Sequence, residues 1–246
     1  STDGAHTIRT ALVLVPTSVV PVWPKEALEC LGPNAANALN IHTMLDCTAA
    51  DRGRQLRRWV QDGGVLILGY EMFRVLVLGD ATVARKTLCD PGPDMIILDE
   101  GHRLRNSGSQ LYNAVQRVRT RRRLVLTGYP MQNHLMEYFC MVDYLRPGFL
   151  GTKDEFRDRF EIPITNGQCA DSDPNDIAYA KQQTWVLHNH VAPIVLRRDG
   201  HFLRAQLPPK HEWVVGCRLS PLQYALYKGY AREKLRQYVA RGRRAP

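Results

Sequence analysis

Two adjacent carboxylates, Asp99 and Glu100, stand before Gly101 and His102 at the end of a short apolar run. That run, residues 95–98, is Met-Ile-Ile-Leu between a proline and a glycine, which is typical of a buried parallel strand. Open α/β sheets bind ligands beyond the carboxyl ends of their strands. There, an Asp can hold Mg²⁺, and the following Glu can polarise a water for attack on a phosphate. Taken alone, the four residues fit two surface carboxylates at a strand end equally well.

Strands and helices alternate along the first part of the chain. Apolar runs predict strands at residues 11–15, 41–45, 65–70, 95–98 and 122–127, and the intervening patterns predict helices at 19–31, 51–61, from 71 onward and at 106–118. This alternation predicts a doubly wound parallel sheet. Thr17 and Thr127 follow two of the strands, so we expect them at the same sheet edge as the acid pair. Thr17 could instead cap the helix that follows it.

The later part of the chain is predicted to be mainly helical. Helices are expected at 132–145, at 151–160, through Trp185 and from Ser220 onward, where Ser and Pro form a good helix start. A polar segment at 162–176 predicts an exposed loop, and residues 213–215 predict a short strand. The proline-flanked stretch 207–210 predicts an extended connector, with a domain boundary near Pro208.

Composition and charge limit the classes of protein to which this chain can belong. The 246 residues carry a formal charge of +9, and residues 225–246 hold seven basic side chains against one acidic side chain. A cluster of basic side chains can bind a polyanion such as nucleic acid, but it also occurs on helix faces that contact only solvent. No apolar run is long enough to cross a membrane. The six cysteines show neither CxxC nor zinc spacing, which favours free thiols in a reducing compartment.

Four segments, taken in order, resemble motifs Ia, Ib, II and III of the SWI/SNF-type superfamily-two helicase-like ATPases. They are residues 14–17 (Leu-Val-Pro-Thr), 69–72 (Gly-Tyr-Glu-Met), 99–102 (Asp-Glu-Gly-His) and 126–133 (Leu-Thr-Gly-Tyr-Pro-Met-Gln-Asn). Residues 146–151, 155–160 and 166–172 are similar to the ATRX and androgen-receptor-interacting helicase-like branch. The resemblance covers roughly residues 12 to 230. It implies a RecA-like parallel sheet with helices on both faces as a partial first helicase lobe in residues 1–150. A helical insertion in 151–207 would complete that lobe, and 208–246 would begin a second lobe.

The resemblance also implies roles for individual residues. Asp99 would bind the Mg²⁺ of MgATP, Glu100 would orient or deprotonate the attacking water, and His102 would couple the site to motif III. Thr127 and Gln132 would relay the nucleotide state to DNA. The implied contacts with duplex DNA are Thr17, Gly69, Tyr70, Arg74 and Gly128. A structural histidine at 102 and a capping glutamine at 132 are the alternative interpretations.

The sequence departs from the family pattern in one consequential way. It contains no Gly-x-x-x-x-Gly-Lys-Ser/Thr, so the loop that cradles phosphates is missing. Smaller departures occur in motif III, at Tyr129 and Met131. We therefore expect that loop upstream of Ser1 and the remaining second-lobe motifs beyond Pro246. The chain is then predicted to be an internal fragment that does not hydrolyse ATP alone.

The complete protein is expected to be a nuclear, ATP-dependent translocase that acts on duplex DNA or nucleosomes, with nuclear protein partners and no membrane. Two alternatives remain open. One is a non-catalytic DNA-binding or scaffold derivative of the same fold. The other is an RNA helicase of the DEAH type, which would share the Mg²⁺ chemistry but prefer RNA.

Overall fold

The computed structural model describes residues 7–45, 47–79, 82–128, 134–169, 171–198 and 207–240. The chain divides into two compact units, Ser1–Ile194 and Val195–Pro246. The first unit contains the sheet and the acid pair, and the second contains one long helix. The division into 1–150, 151–207 and 208–246 stays a prediction about domain organisation.

A five-stranded sheet forms the centre of the first unit. Its strands are Thr10–Val15 (β1), Ile41–Met44 (β2), Gly64–Gly69 (β3), Met95–Leu98 (β4) and Arg123–Val125 (β5). The order across the sheet is β2-β3-β1-β4-β5, and every neighbouring pair is parallel. Leu14 pairs with both Leu68 and Leu98, so β1, β3 and β4 end at the same level. The predicted parallel sheet is confirmed, and its carboxyl edge carries the residues singled out above.

Helices follow the strands. They are Val22–Ala38 (α1), Ala49–Asp62 (α2), Tyr70–Leu78 (α3), Thr82–Leu88 (α4), Gln110–Gln116 (α5), Leu135–Leu145 (α6), Lys153–Phe156 (α7), Ile162–Asn166 (α8), Pro174–Val191 (α9) and Pro221–Ala240 (α10). Short 3₁₀ turns occupy Thr17–Val19 and Gly101–Leu104, and a π-helical turn, Arg157–Glu161, joins α7 to α8. The helix α1 runs past its predicted end at Leu31 and is kinked at Gly32, where φ is 76°.

Alternating side chains of the central strand divide the core into two layers. Leu12 and Leu14 belong to a large cluster that also takes in Trp59, Phe73 and Phe139 from the helices. Val13 and Val15 point to a smaller cluster on the opposite face, where Val20 and Trp23 cover them. A strand buried on both faces has no polar side, which explains the uninterrupted apolar runs in the sequence.

The helix predicted at 106–118 is shorter than expected. It begins only at Gln110, where Ser109 caps it by accepting a hydrogen bond from the Tyr112 N–H at 3.1 Å. Before it, the Asn106 side chain accepts a hydrogen bond from the Gly108 N–H at 2.9 Å. Such an asparagine turn competes with helical hydrogen bonding, so the first turns of the predicted helix do not form.

The prediction of an exposed loop at 162–176 is wrong at both ends of the segment, where the structure has helices. Residues Ile162–Asn166 form α8, and α9 begins at Pro174 with the Asp173 carboxylate as its cap. The buried side chain of Ile164 joins the main core cluster, and α8 packs against α9. Tertiary burial of one isoleucine therefore outweighs the turn-forming composition of the segment.

The second unit also departs from prediction at residues 213–215. These residues form no strand, and the Trp213 side chain is 84% exposed. A strand needs a neighbour for its hydrogen bonds, and no strand lies in the described residues of this unit, 195–198 and 207–240. The predicted helix start is confirmed. The Ser220 hydroxyl accepts from the Gln223 N–H, and the Gln223 side chain accepts from the Ser220 N–H.

All six cysteines are free thiols in the structure. Two of them, Cys89 and Cys140, are buried, and burial raises the pKa of each thiol. No helix in the described ranges combines the length and the apolar content that crossing a lipid bilayer requires.

Asp94 ties the start of β4 to the start of β1 and makes stability depend on pH. Its Oδ2 accepts hydrogen bonds from the N–H groups of Arg9 and Thr10, both at 2.9 Å, and from the Thr10 hydroxyl. Burial alone would raise the pKa of Asp94, but these three hydrogen bonds lower it below its usual value of 3.8.

We expect Asp94→Asn to lower the free energy of unfolding by about 1 to 2 kcal/mol at neutral pH, because the charged acceptor is lost. Since the folded pKa is depressed, this stabilisation is complete above pH 3.8 and is lost as the pH falls through the folded value. Urea unfolding of both proteins across this pH range measures the difference.

Asp62→Asn is the control. Asp62 forms an ion pair with the exposed Arg58, so this substitution should change the free energy of unfolding by less than about 0.5 kcal/mol. A constant difference at all pH values would contradict this assignment.

Candidate functional site

The acid pair lies where β4 ends. The Asp99 N–H donates to the Leu14 carbonyl at 2.8 Å, and the Gly101 N–H donates to the Leu126 carbonyl at 2.8 Å. These two bonds hold the segment between the ends of β1 and β5. A side chain at Gly101 would have no room, because its Cβ would lie 2.1 Å from Val125 Cγ1. The glycine therefore allows the chain to turn close beside β5.

Glu100 has a strained backbone. Its φ of 52° and ψ of 47° lie in the left-handed region, and Asn40 is the only other non-glycine residue with a positive φ in the described part of the chain. Asparagine adopts this region readily, whereas for a glutamate the left-handed conformation costs about 1 kcal/mol or more of free energy. Strain of this kind persists where surrounding contacts enforce it, and it clusters at functional sites.

Three donors hold Asp99. The Tyr70 hydroxyl donates to its main-chain carbonyl at 2.6 Å, and the Trp23 indole N–H donates to Oδ2 at 3.2 Å. The Glu100 N–H donates to Oδ1 at 2.9 Å. Burial, followed by the nearby Asp99 charge, raises the pKa of Tyr70, so its hydroxyl keeps the proton that it donates. The carboxylate is therefore fixed in direction while part of it faces solvent.

Glu100, His102 and Thr127 form a chain of polar contacts. His102 Nδ1 lies 3.2 Å from Glu100 Oε2 and 3.3 Å from the Thr127 hydroxyl oxygen. Glu100 Oε2 is shielded from solvent, and none of the described residues forms a hydrogen bond with it, although the histidine is close. A buried carboxylate oxygen without a donor is costly. Such an atom is suited to accept a proton from a water or hydroxyl that arrives with a ligand.

Mg²⁺ bound together with phosphate oxygens fits this set of donors. Each Asp99 oxygen accepts one hydrogen bond and retains a lone pair for a cation or for its water. No cluster of three or more His, Cys, Asp or Glu side chains forms a metal cage in the described ranges. Mg²⁺ commonly binds through one or two carboxylates plus substrate phosphates, so a single Asp in this position is sufficient.

The five residues predicted to contact DNA differ in accessibility. Thr17 and Gly128 are exposed. Arg74 is half-buried, and its guanidinium is bound by Glu71 and Gln110. Gly69 and Tyr70 are buried; the ring of Tyr70 lies among apolar side chains, and its hydroxyl donates to the Asp99 carbonyl. Contact of these two residues with DNA stays a prediction.

Two further predictions concern Thr17 and Gln132. No side chain caps the 3₁₀ turn that starts at Thr17 or the helix α1, so capping does not account for the Thr17 hydroxyl. Gln132 lies outside the described residues, as do Tyr129 and Met131. Their roles stay predictions.

Trp23 and Gly101 were not singled out by the sequence as site residues, yet both shape the site. Trp23 has the spacing of an apolar helix residue, and only the fold places its N–H beside Asp99. The close approach of Gly101 to Val125 depends on the pairing of β4 with β5. The only signal available in the sequence was the glycine directly after two carboxylates.

Comparison with known proteins gives consistent results. The family model described as "SNF2-related domain" matches residues 3–244. Helicase ARIP4 of Xenopus tropicalis is 39% identical over 263 residues, covering 89% of this chain and 19% of that protein. Transcriptional regulator ATRX of Homo sapiens is 45% identical over 187 residues, covering 73% of this chain and 8% of that protein. The chain therefore spans less than a fifth of the length of these relatives.

A solved structure supports the same fold. The Sulfolobus solfataricus SWI2/SNF2 ATPase core in complex with dsDNA has a TM-score of 0.59 and 23% identity, with 95% of this chain and 43% of that chain covered. At this identity the likeness concerns the fold, which is the parallel sheet expected of a RecA-like lobe. Because one family model spans nearly the whole sequence and the acid pair lies at the expected sheet edge, the chain belongs to the SNF2-related domain family.

Proposed function

We propose that the protein containing this chain hydrolyses ATP and uses the energy to move along duplex DNA and remodel chromatin. The observation that carries the proposal is the arrangement at the end of β4. A glutamate with a strained backbone stands beside a firmly held aspartate, and the buried Oε2 of that glutamate forms no hydrogen bond within the described part of the chain. Membership of the SNF2-related domain family supports this choice of reaction.

In this proposal the two carboxylates divide the work of phosphoryl transfer. Asp99 holds Mg²⁺ directly or through water, and the bound ion supplies charge neutralisation of the phosphates. Glu100 orients the attacking water and accepts its proton. The single nitrogen His102 Nδ1 lies 3.2 Å from Glu100 Oε2 and 3.3 Å from the Thr127 hydroxyl oxygen, so it can pair with the carboxylate or with the hydroxyl.

Duplex DNA is proposed to bind along the same edge of the sheet. Thr17 and Gly128 are exposed at this edge, and Arg74, in the helix α3 that follows β3, carries a positive charge. Hydroxyls, backbone N–H groups and arginines contact phosphates without reading base identity, which is what movement along DNA requires. A nucleosomal substrate and a nuclear location follow from this proposal.

The proposal is tested by measuring ATP hydrolysis by the complete protein with no nucleic acid, with duplex DNA and with duplex RNA. We expect stimulation by DNA well above that by RNA, weakening as salt rises because phosphate contacts release counterions. Stimulation by RNA alone would favour a DEAH-type RNA helicase. Salt-sensitive DNA binding without nucleotide binding or hydrolysis would favour a non-catalytic scaffold.

A further inference from the structure

Asp99 accepts hydrogen bonds from two side chains that lie in or near segments predicted to contact DNA. Tyr70, which donates to the Asp99 carbonyl at 2.6 Å, is the first residue of α3 and directly follows Gly69. Trp23, which donates to Asp99 Oδ2 at 3.2 Å, lies in the first turn of α1, six residues after Thr17. Tyr70 therefore links one predicted DNA-contacting segment to the proposed metal ligand, and Trp23 links that ligand to the helix that follows the other segment.

The two segments also touch one another. A Cβ on Gly69 would lie 3.0 Å from the Thr17 hydroxyl oxygen, so the ends of β1 and β3 are in close contact. A shift of Thr17 on binding a phosphate would be transmitted to the start of α3. Because the Tyr70 side chain is only 1% exposed, water cannot replace its hydroxyl at the Asp99 carbonyl.

We propose that Tyr70, assisted by Trp23, is a positioning residue that couples DNA engagement to the orientation of Asp99 and Glu100. The inference rests on the proposed function. The Tyr70 hydroxyl sets the plane of the peptide that joins Asp99 to Glu100, and the Glu100 N–H in that peptide donates back to Asp99 Oδ1. Movement of this one donor therefore changes the direction of both carboxylates. Small changes in such geometry have large effects on rate.

Another buried tyrosine offers a matched control. Tyr144 is 0% exposed and belongs to the same core cluster, but no residue that the structure describes forms a hydrogen bond with its hydroxyl. Tyr144→Phe removes the same atom as Tyr70→Phe from an equally buried ring. The two variants differ in whether Asp99 loses a donor.

The experiment uses the complete protein and two readouts. One is the ratio of ATP hydrolysis rates at saturating duplex DNA and without DNA. The other is the ratio of dissociation constants for MgADP without and with DNA, measured by calorimetry, which reports coupling between the two sites independently of turnover. Thermal unfolding confirms that each variant is folded.

We expect Tyr70→Phe to reduce the rate ratio about fivefold to tenfold, which is the effect of one lost hydrogen bond on a reaction barrier. The MgADP ratio should move towards one. The DNA concentration that gives half-maximal stimulation should change less than about twofold, because the Tyr70 ring is buried. Trp23→Phe should change both ratios in the same direction, and Tyr144→Phe should leave both at the wild-type values.

Equal ratios in Tyr70→Phe and Tyr144→Phe, with a DNA-stimulated wild type, would overturn the coupling role and leave the proposed function intact. A tenfold rise in the half-maximal DNA concentration with unchanged ratios would also overturn it, since Tyr70 would then serve DNA binding itself. A wild-type protein that neither hydrolyses ATP nor couples MgADP to DNA would overturn the proposed function and this inference with it.

Discussion

Glu100→Gln is expected to reduce the ATP hydrolysis rate of the complete protein by about 100-fold to 1,000-fold, because the amide cannot accept the proton of the attacking water. The amide keeps the size of the side chain and its place beside His102. Asp99 is untouched, so MgADP affinity should stay within about threefold. Steady-state hydrolysis and calorimetric MgADP binding together measure the two effects.

Glu100→Gly separates the chemical role of this residue from its structural role. Glycine occupies the left-handed region without the steric cost that a glutamate bears at φ 52°. We expect the glycine variant to be inactive but to unfold at a temperature no lower than that of the wild type. If Glu100→Gln retained full hydrolysis, Glu100 would not be the proton acceptor. A marked loss of stability in Glu100→Gly would mean that the carboxylate stabilises the fold.

Gly101→Ala is expected to destabilise the chain by about 2 to 3 kcal/mol, because the new methyl group overlaps Val125 Cγ1. For a chain of this size the midpoint of thermal unfolding should fall by about 5 to 10 °C. The strand β5 must move away from β4 to admit the methyl group, and this shift also carries Thr127 away from His102. Circular dichroism melting of the chain measures the change.

Two further variants test the cause of this destabilisation. Gly128→Ala lies close by on the same edge, and its Cβ would meet no atom of the described residues within 4 Å, so its melting temperature should stay near that of the wild type. Combining Gly101→Ala with Val125→Ala removes the clashing methyl group and should recover part of the lost stability. A double variant that is less stable than both single variants would rule out this clash as the cause.

The sequence predicted the parts of the fold that rest on local patterns. The apolar runs at β1, β3 and β4 were long enough to be recognised as strands buried on both faces, and the structure confirms their parallel arrangement. Prediction was poorer where a single distant contact decided the outcome. Ile164 makes α8 helical by packing in the core, whereas residues 213–215 have strand-forming side chains but no described neighbouring strand.

The site residues show the same difference: local sequence predicted their identity, and distant contacts decided their environment. Residue types and their spacing predicted Asp99, Glu100, His102 and Thr127 at one sheet edge, and the parallel strand ends bring His102 within 3.2 Å of Glu100 and 3.3 Å of Thr127. A sequence motif does not show whether its residues are exposed or buried. Tyr70 has the sequence position of a predicted DNA contact, but burial of its ring directs its hydroxyl to the Asp99 carbonyl.

By itself, the sequence determined the order of the strands along the chain, the family resemblance and the acid pair at a strand end, because these depend on residue identity and spacing. Only the tertiary structure decided the strained backbone of Glu100, the lack of a described hydrogen-bond partner for its Oε2, and the donors that Trp23 and Tyr70 direct at Asp99. The two donor contacts join residues 76 and 29 positions apart, and the pairing of strands brings such distant residues together.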